Sequence, residues 1–175
     1  MVRVSAAEVG LPAPVLPREV QSARLRLPVI SSEEASAMLA GHREPSWHPD
    51  YPRKDDLDAA SMVAAGDTWG PRHVVRAVDG LVVGGIGFFG APQPASDGVL
   101  ETEVGFGLVP DARGRGVASE ALRAVLAEAD RLRVRIRARV LPENSASVRV
   151  LAKAGFTELR GSTEDGELVM ARPLP

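Results

Sequence analysis

The stretch that decides the fold reads Gly105-Phe106-Gly107-Leu108-Val109-Pro110-Asp111-Ala112-Arg113-Gly114-Arg115-Gly116-Val117-Ala118-Ser119. It joins an extended apolar run, Val104 to Val109, to a helical pattern that begins at Val117. Between them lie a proline and a tight Arg113-Gly114-Arg115-Gly116 turn. Glycines let the main chain come close to a ligand, and the first amides of the following helix have no partner inside it. Strand, glycine turn and helix N-terminus in this order make an anion site, and a pyrophosphate is the expected occupant.

Downstream of the turn, Ala118, Ala121, Leu122, Val125, Leu126 and Ala129 repeat at helical spacing, predicting a helix to Arg131. Arg133 to Val140 alternates strictly and predicts a strand. Pro142 opens a helix that stops at Gly155, and Phe156 to Arg160 and Glu167 to Ala171 form a hairpin around Asp165-Gly166. Upstream, Leu100 to Val109 is a long strand behind a turn-rich loop, Ala91 to Gly98. Arg72 to Val78 and Leu81 to Phe89 flank Asp79-Gly80, a strong hairpin signal. Arg24 to Val29 reads as the first strand, and Ser32 caps a helix, Glu33 to Ala40, that Gly41 ends. A polar loop, 42–56, carries Trp47, His48 and Tyr51, and a short helix, Leu57 to Ala65, stops at Gly66. Residues 1–22, broken by Pro12, Pro14 and Pro17, read as an irregular leader, which leaves 23–175 as one domain. The order βααβββαβαββ is that of a mixed α/β fold.

Composition narrows the chemistry. A chain of 175 residues buries a core as one domain without covalent staples. It has no cysteine, which excludes disulfides, thiolate metal sites and a cysteine nucleophile. His42, His48 and His73 show no metal-ligand spacing, so no metal is expected. A net charge of -2 and a pI near 5.9 disfavour nucleic acid as a partner. No secretory signal is visible, and the nearly uncharged run Gly80 to Ala95 falls short of the ~20 apolar residues of a membrane span. The expectation is a cytoplasmic chain without membrane contact.

One glycine motif is a decoy. Gly85-Ile86-Gly87-Phe88-Phe89-Gly90 fits G-x-G-x-x-G, but Pro92, Pro94 and a loop follow it where a dinucleotide site needs a helix.

Two further blocks carry a likeness to a known family. Arg113-Gly114-Arg115-Gly116-Val117-Ala118 matches R/Q-x-x-G-x-G/A, the acyl-CoA pyrophosphate signature of the GNAT N-acetyltransferase superfamily. Asn144-Ser145-Ala146-Ser147, with Lys153-Ala154-Gly155-Phe156, resembles that family's N-x-x-S and K-x-G-F segment. The interval between the blocks accommodates one helix, one strand and a turn. The likeness spans residues 22–173. Ser22-Ala23-Arg24-Leu25-Arg26-Leu27 and Ser119-Glu120-Ala121 are similar to the branch of ribosomal-protein N-terminal (Rim-type) acetyltransferases.

The resemblance implies a mostly antiparallel central sheet with a splayed parallel strand pair, flanked by helices. It implies acetyl-CoA as cosubstrate and direct transfer of the acetyl group to a primary amine, either a protein N-terminus or a small molecule, by a monomer or homodimer. The amides of Gly114, Gly116, Val117 and Ala118 would cradle the pyrophosphate, with Arg113, Arg115 and Ser119 adding donors. The pantetheine arm would lie along the strand ending at Leu108 and Val109, with N–H groups of Gly107 to Val109 near the thioester carbonyl. Asn144 and Ser147 would face that slot. Glu103 matches a catalytic glutamate of parts of the family and is the expected base, with Glu101 as the alternative. A carboxylate of ordinary pKa, ~4.3, needs a water relay or a raised pKa for that work. Many relatives place a tyrosine where this chain has Leu151, so Ser147 is the expected partner of the departing thiolate. Arg133, Arg135, Arg137 and Arg139 read as one side of a half-exposed strand or as a basic wall for an acidic substrate or the 3′-phosphate, with Lys153 as another phosphate neighbour. Trp47, His48, Tyr51 and Trp69 are candidates for the acceptor pocket. The competing reading is a non-catalytic acyl-CoA-binding module that senses cofactor or docks on a partner.

Overall fold

The computed structural model describes residues 12–175. Among the described residues, nine strands make one open mixed sheet: β1 (Glu19–Gln21), β2 (Leu25–Pro28), β3 (Pro71–Arg76), β4 (Val82–Phe88), β5 (Gln93–Pro94), β6 (Leu100–Leu108), β7 (Arg135–Val140), β8 (Glu158–Ser162) and β9 (Leu168–Arg172). Four helices accompany them: α1 (Ser32–Leu39), α2 (Lys54–Ala60), α3 (Val117–Arg131) and α4 (Ser145–Lys153). Neighbours run β1-β2-β3-β4-β6-β7-β9-β8, with β5 at the margin of β6. Every pairing is antiparallel except β6 with β7. The mixed sheet with a single parallel pair is the architecture expected from the sequence.

Strand parity separates the two faces. Ile86 lies opposite Phe106, and Gly85 opposite Gly107, so alternate residues of β4 and β6 share a face. Val104, Leu108, Ile136 and Ala138 stand on the first face, buried under α3, whose Ala121, Leu122, Val125, Leu126 and Ala129 are also buried. The second face carries Gly85, Gly87, Gly105 and Gly107, continuing into Glu101 and Glu103 and the Arg135, Arg137 and Arg139 row. α2 lies over its glycine half: a Cβ on Gly107 would sit 2.3 Å from an Arg53 nitrogen, and one on Gly85 2.7 Å from an Asp56 oxygen. Of the decoy glycines, Gly85 and Gly87 therefore serve close packing in a strand, while Gly90 lies past its end in a positive-φ bend.

Several boundaries differ from the sequence reading. Ser31, not Ser32, caps α1, because only Ser31 has a glutamate three residues on. The Glu34 N–H donates to the Ser31 hydroxyl at 3.1 Å, and Glu34 accepts from the Ser31 N–H at 2.9 Å. α2 starts three residues early, since Asp56 reaches back to the Arg53 N–H at 2.9 Å, and it stops at Ala60. α4 starts at Ser145, not Pro142, because Asn144 caps it by accepting from the Ser147 N–H at 3.2 Å. Arg133 precedes β7 in the left-handed region, at φ 58°, and so stands outside the arginine row of the strand. Residues 19–21, after the last leader proline, form the edge strand β1. Leu16 is buried beside them, and the Trp69 indole N–H donates to the Pro14 carbonyl at 2.7 Å.

Candidate functional site: a glycine turn above a split in the sheet

β6 ends at Leu108, and Pro110 turns the chain through one 3-10 turn, Pro110–Ala112. Gly114 and Gly116 then stand in the left-handed region, at φ 74° and 75°. Gly116 is the N-cap of α3 and has no side chain to occupy the first-turn amides. The first intrahelical bond is made by the Glu120 N–H to the Gly116 carbonyl at 3.0 Å, leaving the Val117, Ala118 and Ser119 amides without an intrahelical acceptor. A Cβ on Gly114 would meet nothing within 4 Å, so glycine is required there by the backbone and not by crowding.

The turn is tied down from both sides. Arg113 folds back to donate through Nε to the Leu108 carbonyl at 3.1 Å. The Arg115 carbonyl accepts from both terminal nitrogens of Arg24, each at 3.2 Å. Arg24 Nε also donates to Glu120 at 2.6 Å, and Glu120 accepts from the Ser22 hydroxyl at 2.7 Å. Burial pushes the Glu120 carboxyl up, but the bonds from Ser22 and Arg24 outweigh it and hold the pKa below the ordinary value. Residues far apart in sequence, Ser22 and Arg24 on one side and Arg115 and Glu120 on the other, thus form one clip. Beside it a cavity of about 580 Å³ is lined by Gly116, Ser119, Arg123 and Lys153 among others.

Below the turn the sheet splits. β6 pairs with β7 only over Glu101 to Glu103, opposite Arg135 to Arg137. From Val104 onward β6 pairs with β4 alone, while β7 continues to Val140 on β9. The Phe89 N–H donates to the Glu103 carbonyl and the Val109 N–H to the Val83 carbonyl, both at 2.9 Å. Odd residues of this segment therefore turn their backbone groups toward β4, and the Phe106 and Leu108 N–H groups face the gap. This corrects the expected donor set: the Val109 N–H is taken, Gly107 points the wrong way, and Leu108 is the last open donor. Beyond the end of β7, the Asn144 side-chain oxygen is taken by its cap, and the half-buried Ser147 hydroxyl has no partner among the described residues.

At the apex of the split, two buried carboxylates meet four arginines. Glu101 accepts from Arg135 at 2.5 Å, Arg160 at 2.8 Å and Arg137 at 3.1 Å. Glu103 accepts from Arg139 at 2.7 Å and Arg137 at 3.2 Å. Burial pushes the Glu101 carboxyl up, but its three arginines prevail and keep it below the ordinary range. Glu101, the alternative base, is thus held as an anion by three cations. The arginine row is not a bare basic wall either, since each member on β7 already holds a carboxylate.

A model of the GNAT acetyltransferase domain matches residues 24–157. The chain belongs to the GNAT acetyltransferase family. No curated protein sequence matches it. Solved structures of the same fold include a GnaT-family acetyltransferase from Bordetella pertussis, at TM-score 0.63 and 24% identity, covering 90% of this chain and 100% of that one. Mycobacterium smegmatis RimJ in complex with CoA-disulfide matches at TM-score 0.62 and 22% identity, covering 89% and 87%. The ribosomal-protein-S5-alanine acetyltransferase of Vibrio fischeri matches at TM-score 0.59 and 16% identity, covering 89% and 96%.

In this GNAT chain a second cavity, about 440 Å³, opens between α2 and the glycine half of the sheet. Arg53 lies flat on Gly107 and pairs with the buried Asp56 at 2.8 Å, and Phe89 lies over Gly105. Of the four candidate aromatics and histidine, Tyr51 alone lines this cavity. Its hydroxyl meets His73 Nδ1 at 2.7 Å, and burial, then Asp56, push the phenol pKa well up. Trp47 packs edge-on against Tyr51, Trp69 packs on Phe88, and His48 Nε2 reaches Asp111 at 3.2 Å in the turn after β6. Sequence reasoning missed Arg53, Asp56, Phe89 and Arg160. The one available signal was period-two spacing: Glu101 and Glu103 on one strand, Arg135, Arg137 and Arg139 on its parallel neighbour. Among the described residues no cluster could hold a metal ion, and no helix is long and apolar enough to cross a membrane.

Proposed function

We propose that this chain is an acetyl-CoA-dependent N-acetyltransferase that moves the acetyl group directly to a primary amine. The observation that carries the reading is the continuity of the left-handed glycine turn, the open first-turn amides of α3 and the split between β6 and β7. A pyrophosphate on the amides of Gly114, Gly116, Val117, Ala118 and Ser119, with Arg113 and Arg115 at its edge, leaves a pantetheine arm free to enter the split. There it pairs with β6 as an added strand, next to Leu108 and Val109, while Arg123 and Lys153 border the cavity beyond Gly116. The Leu108 N–H is positioned for the thioester oxygen as negative charge develops on it.

In this reading the incoming amine gives its proton to Glu103 through a water, since Arg137 and Arg139 fix the carboxylate in place. The amine forms its bond to the carbonyl carbon, the C–S bond breaks, and the thiolate leaves toward Ser147, whose hydroxyl donates to it while water supplies the proton. Asn144 holds the α4 turn that presents Ser147. No covalent enzyme intermediate is required.

Titration calorimetry with acetyl-CoA, followed by thiol release on a panel of primary amines, tests this directly. Binding that disappears in Gly116→Trp, with thiol release on some amine and loss of turnover in Glu103→Gln, is the expected result. Absence of acetyl-CoA binding would overturn it. One observation favours a second reading, a non-catalytic acyl-CoA-binding module: Leu151, at the usual tyrosine position, is buried in the core and offers no acid. That reading requires binding without turnover on any amine and a silent Glu103→Gln.

A further inference from the structure

We infer that the cavity above Glu103 is an anion subsite for the acceptor, so that the preferred amine carries a carboxylate or phosphate held by Arg139 and Arg137. The inference rests on the acetyltransferase reading and adds a substrate class to it. The cavity, about 720 Å³, lies on the sheet face that bears the charged ladder, and Phe89, Ala91, Pro94 and Val169 give it apolar walls.

The layering of charge decides its character. The Glu101 and Glu103 side chains are only 5% and 8% exposed, whereas Arg137 and Arg139 are 42% and 44% exposed. The carboxylates are sunk beneath the guanidinium groups, so a ligand in the cavity meets nitrogen first. Arg137 spends Nε and Nη1 on the two glutamates, which leaves Nη2. Arg139 spends Nε alone; its Nη1 stands 3.7 Å from Glu167, too far for a hydrogen bond. Both terminal nitrogens of Arg139 and one of Arg137 are therefore open to the paired oxygens of a carboxylate or phosphate, which a guanidinium fork binds through two parallel bonds.

Glu101 holds two further arginines beside this cavity, and Nε and Nη2 of Arg160 make no hydrogen bond among the described residues, so Arg160 adds to its open donors. Arg135 is held by Asp97 and Glu101, and Arg160 by Glu101 with Glu158 at 3.6 Å. The glutamates fix both exposed arginines before any ligand arrives, so little side-chain freedom is lost on binding. An acceptor with its oxyanion on Arg139 places the rest of the molecule over Glu103. One ladder thus holds the anionic end of the substrate and the proton acceptor for its amine.

Three primary amines on a common frame test this with acetyl-CoA-saturated protein: glutamic acid α-amide, O-phosphoserine α-amide and glutamine α-amide. The expected result is a KM for at least one anionic amine about tenfold or more below that of glutamine α-amide, at similar kcat. The glutamate and phosphoserine arms distinguish carboxylate from phosphate. Arg139→Gln should erase the preference and Arg139→Lys restore part of it, with melting curves verifying that both variants fold. Equal KM across the three amines, or a preference that survives in the Arg137→Gln/Arg139→Gln protein, overturns the inference. If no amine releases thiol, the acetyltransferase reading falls, and titration of glutarate into the acetyl-CoA-loaded protein decides the subsite alone. Glutarate binding that is lost in Arg139→Gln supports it, and no glutarate binding to the unaltered protein overturns it.

Discussion

Substituting Glu101 by glutamine removes one charge and almost no volume from the centre of the ladder. Three guanidinium groups, from Arg135, Arg137 and Arg160, then lose their shared anion. A fully buried pair broken on one side costs about 3–5 kcal/mol, and an exposed pair costs up to about 1. Glu101 itself is 5% exposed, but its partners are 12%, 42% and 28% exposed, so water screens part of the loss. An intermediate cost of about 2–3 kcal/mol follows. For a domain of this size that is a fall in Tm of roughly 5–10 °C. Urea unfolding of both proteins at neutral pH measures it, and a double-mutant cycle with Arg135→Gln isolates the shared part. A loss below about 0.5 kcal/mol would mean that solvent already screens the ladder and that its geometry carries no energy.

The same experiment has a pH arm whose sign is fixed. The folded-state pKa of Glu101 lies below its ordinary value, so its contribution is present above the unfolded pKa and is lost as pH falls through the folded one. The stability gap between wild type and Glu101→Gln should therefore be widest at neutral pH and close in acid. A gap that widens on acidification refutes the assignment.

Three further outcomes are expected. Gly84→Ala should abolish folding or cost well over the ~1 kcal/mol of a typical point mutation, because its Cβ would fall 2.2 Å from the Gly107 carbonyl oxygen and force β4 from β6; soluble yield and urea midpoint report it. Leu122→Ala, at 0% exposure under the sheet, should cost about 2–5 kcal/mol by denaturant titration while leaving acetyl-CoA stoichiometry unchanged. His73 first, then the Ser31 cap, hold Glu34 at about 2, so the stabilisation it provides is present above about 4.5 and lost as pH falls toward 2. Glu34→Gln should accordingly lower Tm at pH 7 and converge with wild type in that acid window.

Much of this fold was legible because its decisive features are local. Left-handed glycines at 114 and 116, the apolar stripe of α3 and the Asp79-Gly80 turn each act through a few neighbouring residues, and each stands near its expected place. Boundaries shifted where a side chain three residues away supplied the cap, as Asp56 does for α2 and Glu34 for α1. The chemistry of the second face was hidden for a different reason. Glu101 and Glu103 looked like a base and its alternate, and the arginines of β7 looked like a solvent-facing row, because each strand was read alone. In a parallel pair the register Glu101 to Arg135 and Glu103 to Arg137 places acid and base rungs side by side, which no single strand reveals.

That pairing also bears on why the sheet splits where it does. Below Glu103 each rung on β6 has a charged partner on β7, so the ladder is drawn together by ion pairs as well as backbone bonds. At Gly105 and Gly107 the side chains vanish from this face, and nothing on β6 is left to hold Arg139, which leans back to Glu103 instead. The strands part at the point where the acidic partners run out. A reading in which the split is set only by α4 and the turn after Leu108 predicts no role for side chains, and the Glu103→Gln protein separates the two. On the ladder account, losing the last rung should increase hydrogen exchange at the β7 amides nearest the gap. The amides of β3, far from the ladder, should keep their protection, and β7 amides that exchange in the variant as they do in the unaltered protein would refute the account.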